Sequence, residues 1–416
     1  MNILRSIYFL AVLFSCSALQ AQHGGYMNNW YFGSNAAINF DNGSPTVMSN
    51  SAMDSFEGCS SISDNDGNLL FYTNGGGVNG NYIGGVWNKN HEMMPNGDLD
   101  SLIGCTSSTQ SALIVQKSWH EYFLFTTGCS EVEHSLKYSI IDMNHNGGLG
   151  DVVVKGVSLI SSQDTIISET IGGTKHANGH DSWVVTHGVS DNTFYVFEVT
   201  TNGIIGPTAY TIGNITFGIG EARFDMHGNQ LAYGHQVFDF DNATGVISNP
   251  ITLNTNGFNR EFSPSGRYVY LTSLSGMDWG LWQYDLQAAN VAASKIQIVS
   301  ENAPYGGLLL GPDSKLYVNW GNNYLSVIND PDNPGLTCNY DANFVSLGNC
   351  ASGNLPNFIS SDVTLLKTDE ISLPANERKL IQISDLMGRT CEFKYSVPLL
   401  YQYSDGSVER VFKLKD

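Results

Sequence analysis

Residues 175–188, KHANGHDSWVVTHG, place His176, His180 and His187 within twelve positions. Neutral imidazole is among the commonest zinc ligands, so three rings this close could build a metal centre if the fold turned them to one side. A second set of groups could bind a polar ligand or do acid–base chemistry. Glu57, Gln110, His176, Asn178, Glu221, Glu261 and Asn357 each stand at or just before an apolar, alternating run. Carboxylates such as Glu57, Glu221 and Glu261, gathered around one space, would suit hydrolysis or elimination on a glycan, or opening of a small ester or lactone. Two turns could hold calcium: SDNDGN through Asp64 and Asp66, and DMNHNGGLGD through Asp142, Asn144, Asn146 and Gly147. In the second, the position that needs a bidentate Glu is Val153, so a Gly-rich hairpin turn is the better reading. The chain has neither GxSxG nor HExxH, and TNGGGVNGNYIGG (73–85) lacks the lysine of a phosphate loop. The sequence therefore assigns no catalytic residue, metal or cofactor.

What must position these groups is a repeat. SISDNDGNLLFYT (61–73), ARFDMHGNQLAYG (222–234), REFSPSGRYVYLT (260–272) and LLLGPDSKLYVNW (308–320) share one pattern: apolar residues, a polar turn, then an alternating strand. Gly and Asp tolerate the dihedrals of tight turns, and period-two alternation marks a sheet with unlike faces, so each is a β-hairpin. SALIVQKSWHEYFLFTT (111–127) and HANGHDSWVVTHG (176–188) are looser copies, and turn centres fall near 67, 119, 181, 228, 266 and 314. Most copies are followed by a second hairpin, as in LKYSIIDMNHNGGLGD, FYVFEVTTNGIIG, QVFDFDNATGVIS and LWQYDLQAANVAA. Four strands in each unit of roughly 40–50 residues is the pattern of a β-propeller. NWYFGSNAAINF adds strands before the first turn, and residues 27–360 hold about seven such units, with six also fitting. A tandem of β-sandwiches is the alternative, but would not repeat one hairpin so often.

In a propeller the first strand of each blade lines the axial channel. The seven polar residues named above are thus candidate ligand-binding groups at the channel mouth, or groups that satisfy strand ends around a wet channel. His180 falls in a turn, and His187, four residues after Trp183, shares that residue's sheet face. The histidines read as blade residues rather than as a zinc site.

Composition bounds the rest. The 416 residues carry 19 Lys+Arg against 39 Asp+Glu, a net charge of −20. Before residue 361 the balance is 11 against 30, so the body holds nearly all the excess and would repel nucleic acid and anionic membranes. Residues 1–21 read as a secretory signal peptide: Arg5, the apolar run IYFLAVLF, and a cut after Ala21, with a weak lipidation string at LFSC ending on Cys16. An exported chain permits disulfides. Cys338 with Cys350 is the first pairing by proximity and Cys105 with Cys129 the second, though spacing alone does not fix connectivity.

After LPNFISSDVTLL the composition shifts. The reading is a propeller over 22–362, a charged linker over 363–379 and a small β module over 380–416, formed by LIQISDLMGRT, VPLLYQYSDGS and VERVFKLKD. ISDLMGRTCEF followed by LLYQYSDGSVERVFKLKD resembles the type A C-terminal sorting domain of the bacterial type IX secretion system, over about 367–416. It departs from the family where G-x-Y is commoner, at YQYSDGS. EGCSSISDNDGNLLFYTNG, YSIIDMNHNGGLGDV, HANGHDSWVVTH, FDFDNATG, EFSPSGRYVYLTS and LPNFI resemble propeller-like N-terminal regions of secreted proteins from the same bacteria, over about 28–360. These resemblances imply passage through the periplasm to the outer surface or medium, and as partners the type IX machinery, its sorting peptidase and surface lipopolysaccharide. They imply no catalytic residues. The expected function is a surface or secreted propeller that binds a glycan or protein. A propeller hydrolase or lyase using Glu57, Glu221 and Glu261, and a structural surface-layer protein, are the alternatives.

Overall fold

The computed structural model describes residues 25–363 and 380–411, apart from 79–81, 101, 130–132, 164, 217, 256, 274–278, 301–305, 349–353, 386–388, 392, 395 and 404–407. The chain divides into two units, 1–366 and 367–416.

In the first unit each polar turn read from the sequence reverses the chain between the two innermost strands of a blade. The chemistry is the same at unrelated positions. Asp64 accepts hydrogen bonds at Oδ1 from the backbone N–H of Asp66 (3.0 Å) and Asn68 (2.9 Å), and Asp225 does so from Asn229 and Gln230, both 2.7 Å. Gly67 and Gly228 follow with φ of 88° and 69°, a left-handed conformation that a side chain would resist.

Around these turns the strands form six four-stranded antiparallel sheets and one of three strands. The inner strands are Ser60–Ser63, Ala112–Gln116, Gly172–Lys175, Arg223–Phe224, Gly257–Phe262 and Gly307–Leu310, for blades 2 to 7. Blade 4 shows the pattern: Gly172–Lys175, Ser182–His187, Thr193–Thr200 and Gly203–Thr211 lie side by side in chain order, buried within and mostly exposed at the outer strand. The seven-blade expectation holds. The polar hairpin signal recurs only six times because blade 1 (Asn29–Phe32, Ala36–Asn39, Thr46–Met48) has no such inner hairpin.

Blades pack through apolar clusters shared between neighbours. Val184, Phe197 and Val199 of blade 4 join Leu113, Phe123 and Phe125 of blade 3 in one cluster, while Trp183, Val185 and Phe194 join Phe224, Phe238 and Phe240 of blade 5 in another. Alternate residues of one strand thus face opposite neighbours. The ring closes where Trp30 of blade 1 meets Tyr317 of blade 7 edge-on, centroids 5.5 Å apart, with Phe40 against the same ring at 5.6 Å.

Each inner strand begins at one face of the ring and turns back at the other. We call these the entry face and the turn face. Cys105 and Cys129 are joined by a disulfide spanning 24 positions at the entry face of blade 3. The first-ranked pairing is corrected: Cys338 is a free, buried thiol packed beside Tyr270 at the end of the turn Gly335–Cys338, and Cys350 lies outside the described residues.

The second unit is a three-stranded antiparallel sheet in chain order, Leu380–Ser384, Leu399–Tyr403 and Val408–Val411. Among the described residues no helix is long and apolar enough to cross a membrane.

The Cys105–Cys129 bond closes a loop whose entropy the unfolded chain would otherwise keep, worth about 3 kcal/mol. The double variant Cys105→Ser, Cys129→Ser should unfold at lower denaturant by that amount, and reduced parent protein should match it in the same titration.

Candidate functional site

The axial channel, where a propeller ligand would be sought, is filled by the chain itself. Residues 354–363 run down it, parallel to the inner strands through the Gly173–Ile359 bridge. Asn354 donates from Nδ2 to the Thr109 carbonyl (2.7 Å), accepts from Asn259 Nδ2 (2.9 Å) and donates its backbone N–H to the Glu57 carbonyl (3.2 Å). Asn357 donates from Nδ2 to the carbonyls of Ala112 (3.0 Å) and Ile171 (2.8 Å), and its Oδ1 accepts from Gln110 Nε2 (3.2 Å). Its backbone N–H reaches the Cys59 carbonyl at 2.8 Å and its own carbonyl accepts from Ser60 Oγ at 2.7 Å, so one residue joins blades 2, 3 and 4. Gln110 in turn accepts from the N–H of Ile171 (3.1 Å) and Ala222 (2.8 Å), tying blade 3 to blades 4 and 5.

Glu221 and Glu261 lie beside this segment and flank Arg223, with N–O separations of 3.1 and 3.5 Å. All three are buried, as is Arg260, which donates to the carbonyls of Glu221, Gly234 and Gly257 and so stitches blade 6 to blade 5. Burial pushes the Glu261 carboxyl up to about 7, against the pull of the Arg223 charge, and raises Glu221 in the same direction. Burial also draws Arg260 down to about 10 against the attraction of Glu221. Two carboxylates with raised pKa beside a cation have the composition of an acid–base site. Their surroundings do not: the space beside Arg223 and Glu261, walled by Phe358 and Val363, measures about 10 Å³, room for one water.

The structure therefore pairs Gln110 with Asn357 and gathers Glu221 and Glu261 on Arg223, both groups buried inside the hub rather than at an open mouth. Glu57 does sit at the entry face, half-buried, its N–H bonded to the Thr106 carbonyl at 2.9 Å. His176 and Asn178 are corrected in place: they lie beyond the far end of their inner strand, in the blade 4 turn, because Gly172–Lys175 is the inner strand and runs from the entry face to the turn face, while Ser182–His187 is the second strand. There the His176 ring stacks on Trp183 with centroids 5.1 Å apart, and the exposed Asn178 accepts at Oδ1 from the N–H of His180 and Asp181. His187 stands at the opposite end of the next strand, buried between Phe194 and Tyr233, each centroid 4.5 Å away. The three imidazoles point into three different environments. Asp142 at the Gly-rich turn accepts from His120 Nδ1 (2.8 Å) and the Asn144 N–H (2.9 Å), as a hairpin turn requires.

Arg223, Arg260 and Asn354 were not singled out by sequence. A signal existed: in a body poor in Arg, two fall beside glutamates inside apolar strands, in EARF and NREF. Another roomy feature lies on the turn face between blades 1 and 2, a groove of about 660 Å³ lined by Asn42, Asn68, Lys89, Asn90 and His91. Beneath it Tyr31 stacks on Tyr72 at 4.2 Å, and Tyr72 Oη lies 3.2 Å from His91 Nδ1.

No protein-family model matches the chain, and no curated protein matches it in sequence. Among solved structures it is similar to a candidate 6-phosphogluconolactonase of Bacteroides fragilis, with a TM-score of 0.49 and 10% identity over 79% of this chain and 96% of that one. A counterpart from Bacteroides uniformis gives 0.46 and 12% over 72% and 92%, and the Dos1 propeller gives 0.46 and 10% over 79% and 86%. At these identities the likeness is one of fold.

Asn357→Ala removes the partner of two buried carbonyls and one amide, so it should cost about 3 kcal/mol, read as a lower denaturation midpoint with the far-UV spectrum retained. His187 supplies a pH test. Burial lowers its imidazole to about 4 from an ordinary 6.5, so stability is full above 6.5 and falls as pH drops from there towards 4. His187→Phe removes that titration. The difference in unfolding free energy between variant and parent should move in the variant's favour across this window, measured by urea melts at both ends.

Proposed function

We propose that this protein is an exported β-propeller binding module whose ligand is recognised on the exposed faces of the ring. The observation that carries this reading is the filled axis. With residues 354–363 lying along it and Glu221 and Glu261 held by Arg223 around space for one water, recognition falls to the two faces. The same fact weighs against a glycan hydrolase or lactonase working from the channel carboxylates, since a sugar ring or lactone has no room beside them. A disulfide at Cys105–Cys129 supports an oxidising destination. The separate unit at 367–416, in which the sorting-domain resemblance lies, supports delivery by type IX secretion, with the sorting peptidase and surface lipopolysaccharide as partners.

The test has two parts. In a bacterium with type IX machinery, the full chain should reach the outer surface or medium, whereas a chain ending at residue 366 should remain in the periplasm, followed by fractionation and blotting. Purified, signal-free protein should be captured by an outer-envelope fraction. Equal localisation of both chains would remove the sorting assignment, and absence of capture would remove the binding assignment.

A further inference from the structure

Strand directions assign every blade loop to one face. Loops that lead into inner strands, and those joining the second and third strands, lie on the entry face; inner hairpin turns and the third-to-fourth connections lie on the turn face. Large apolar side chains exposed in these loops divide unevenly. Phe56, Ile83, Leu102, Ile166, Ile215 and Ile219, 42–74% exposed, are all on the entry face and form an arc over blades 2 to 5. Among the described loop residues the turn face shows Trp119 and Leu336. Monomeric proteins seldom cluster apolar side chains on one face without a partner for them.

Cations gather on the turn face, where acidic side chains such as Asp64, Asp66, Asp241, Asp313 and Asp330 accompany them. Lys89, Lys117, Lys175, Arg267, Lys295 and Lys315 all belong to the turn face. Among the described residues the entry face carries Asp54, Asp100 and Asp191 at its rim, and its lysine, Lys137, is paired with Glu133 at 2.8 Å. An acidic, apolar surface repels anionic lipid and nucleic acid alike. It also repels the same face of a second copy.

Building on the binding-module reading, we infer that the entry-face arc over blades 2 to 5 docks a polypeptide segment in which Lys or Arg alternates with apolar side chains. The apolar members cover the isoleucine arc, and the cations meet the acidic rim, which steers their approach and fixes their orientation.

The probe is a short synthetic peptide of alternating Lys and Leu, compared with its Glu/Leu and Lys/Ser counterparts by fluorescence anisotropy against the full purified chain. The Lys/Leu peptide should bind, and the other two should bind about tenfold more weakly or worse. Ile83→Ser with Ile215→Ser should lower its affinity about tenfold or more, given the apolar area lost. Trp119→Ser, on the opposite face, should leave it within about twofold. All three side chains are exposed, and thermal midpoints equal to the parent's will show the fold intact. Equal binding of the Glu/Leu peptide, or full binding by the isoleucine double variant, would overturn the assignment. So would parent self-association in sedimentation that the double variant loses, since a second copy would then be the occupant. Envelope capture separates the two levels: capture retained in full by the double variant overturns the arc and keeps the module, whereas no capture by the parent overturns the module.

Discussion

The ring depends on satisfying backbone polar groups at its centre. Six inner strands converge on an axis where the carbonyls of Thr109, Ala112 and Ile171 point inward, and a buried carbonyl without a donor costs about 1–3 kcal/mol. A wide propeller can leave this to water. Here Asn354 and Asn357 supply the donors, and their backbones pair with blade 2. A primary amide suits the place because it donates and accepts at once, so one Asn answers two carbonyls and the Gln110 amide without carrying charge into the core. An aspartate there could only accept, and would face oxygens.

The charged layer beside these amides follows from the same enclosure. Arg260 spends its guanidinium on carbonyls, and Arg223 is left to compensate two carboxylates. Such a group is costly to break and of uncertain net benefit when whole, since burying each charge costs several kcal/mol before the pairing returns it. Its clearest effect is orientation. Glu221, Arg223 and Glu261 meet only when blades 5 and 6 stand in the register seen here, and a shifted register would leave buried charges without partners.

Legibility in the sequence followed range. The hairpin turns at Asp64 and Asp225 were readable because their bonds close within five residues, and Gly67 and Gly228 mark the dihedral reversal. Blade strands were readable from alternation, and the polar residues opening inner strands were recognised by type. What they face was not readable, since the partner of Gln110 lies 247 residues away at Asn357 and no local pattern announces that LPNFI enters the axis. His176 and Asn178 were misplaced for a related reason: nearness to a strand in sequence does not say whether that strand lines the axis, and Ser182–His187 is the second of its blade. The cysteines repeat the lesson. Cys338 and Cys350 are close along the chain, yet Cys338 packs against Tyr270 of another blade, while Cys105 and Cys129 are brought together by the antiparallel pairing of the strands between them.

The axial segment also sets an order of events. Ser60 and Asn357 are bonded across 297 positions, so the hub cannot be completed until nearly all seven blades have been made. Local hairpins form early, but the contact that locks the ring carries the closure entropy of a loop spanning 297 positions, and folds rich in such contacts are slow. Until then the inward carbonyls of blades 3 and 4 stay hydrated. A ring without residues 354–363 would leave these carbonyls to water, so the axis is the part of the body whose securing depends on the whole chain before it.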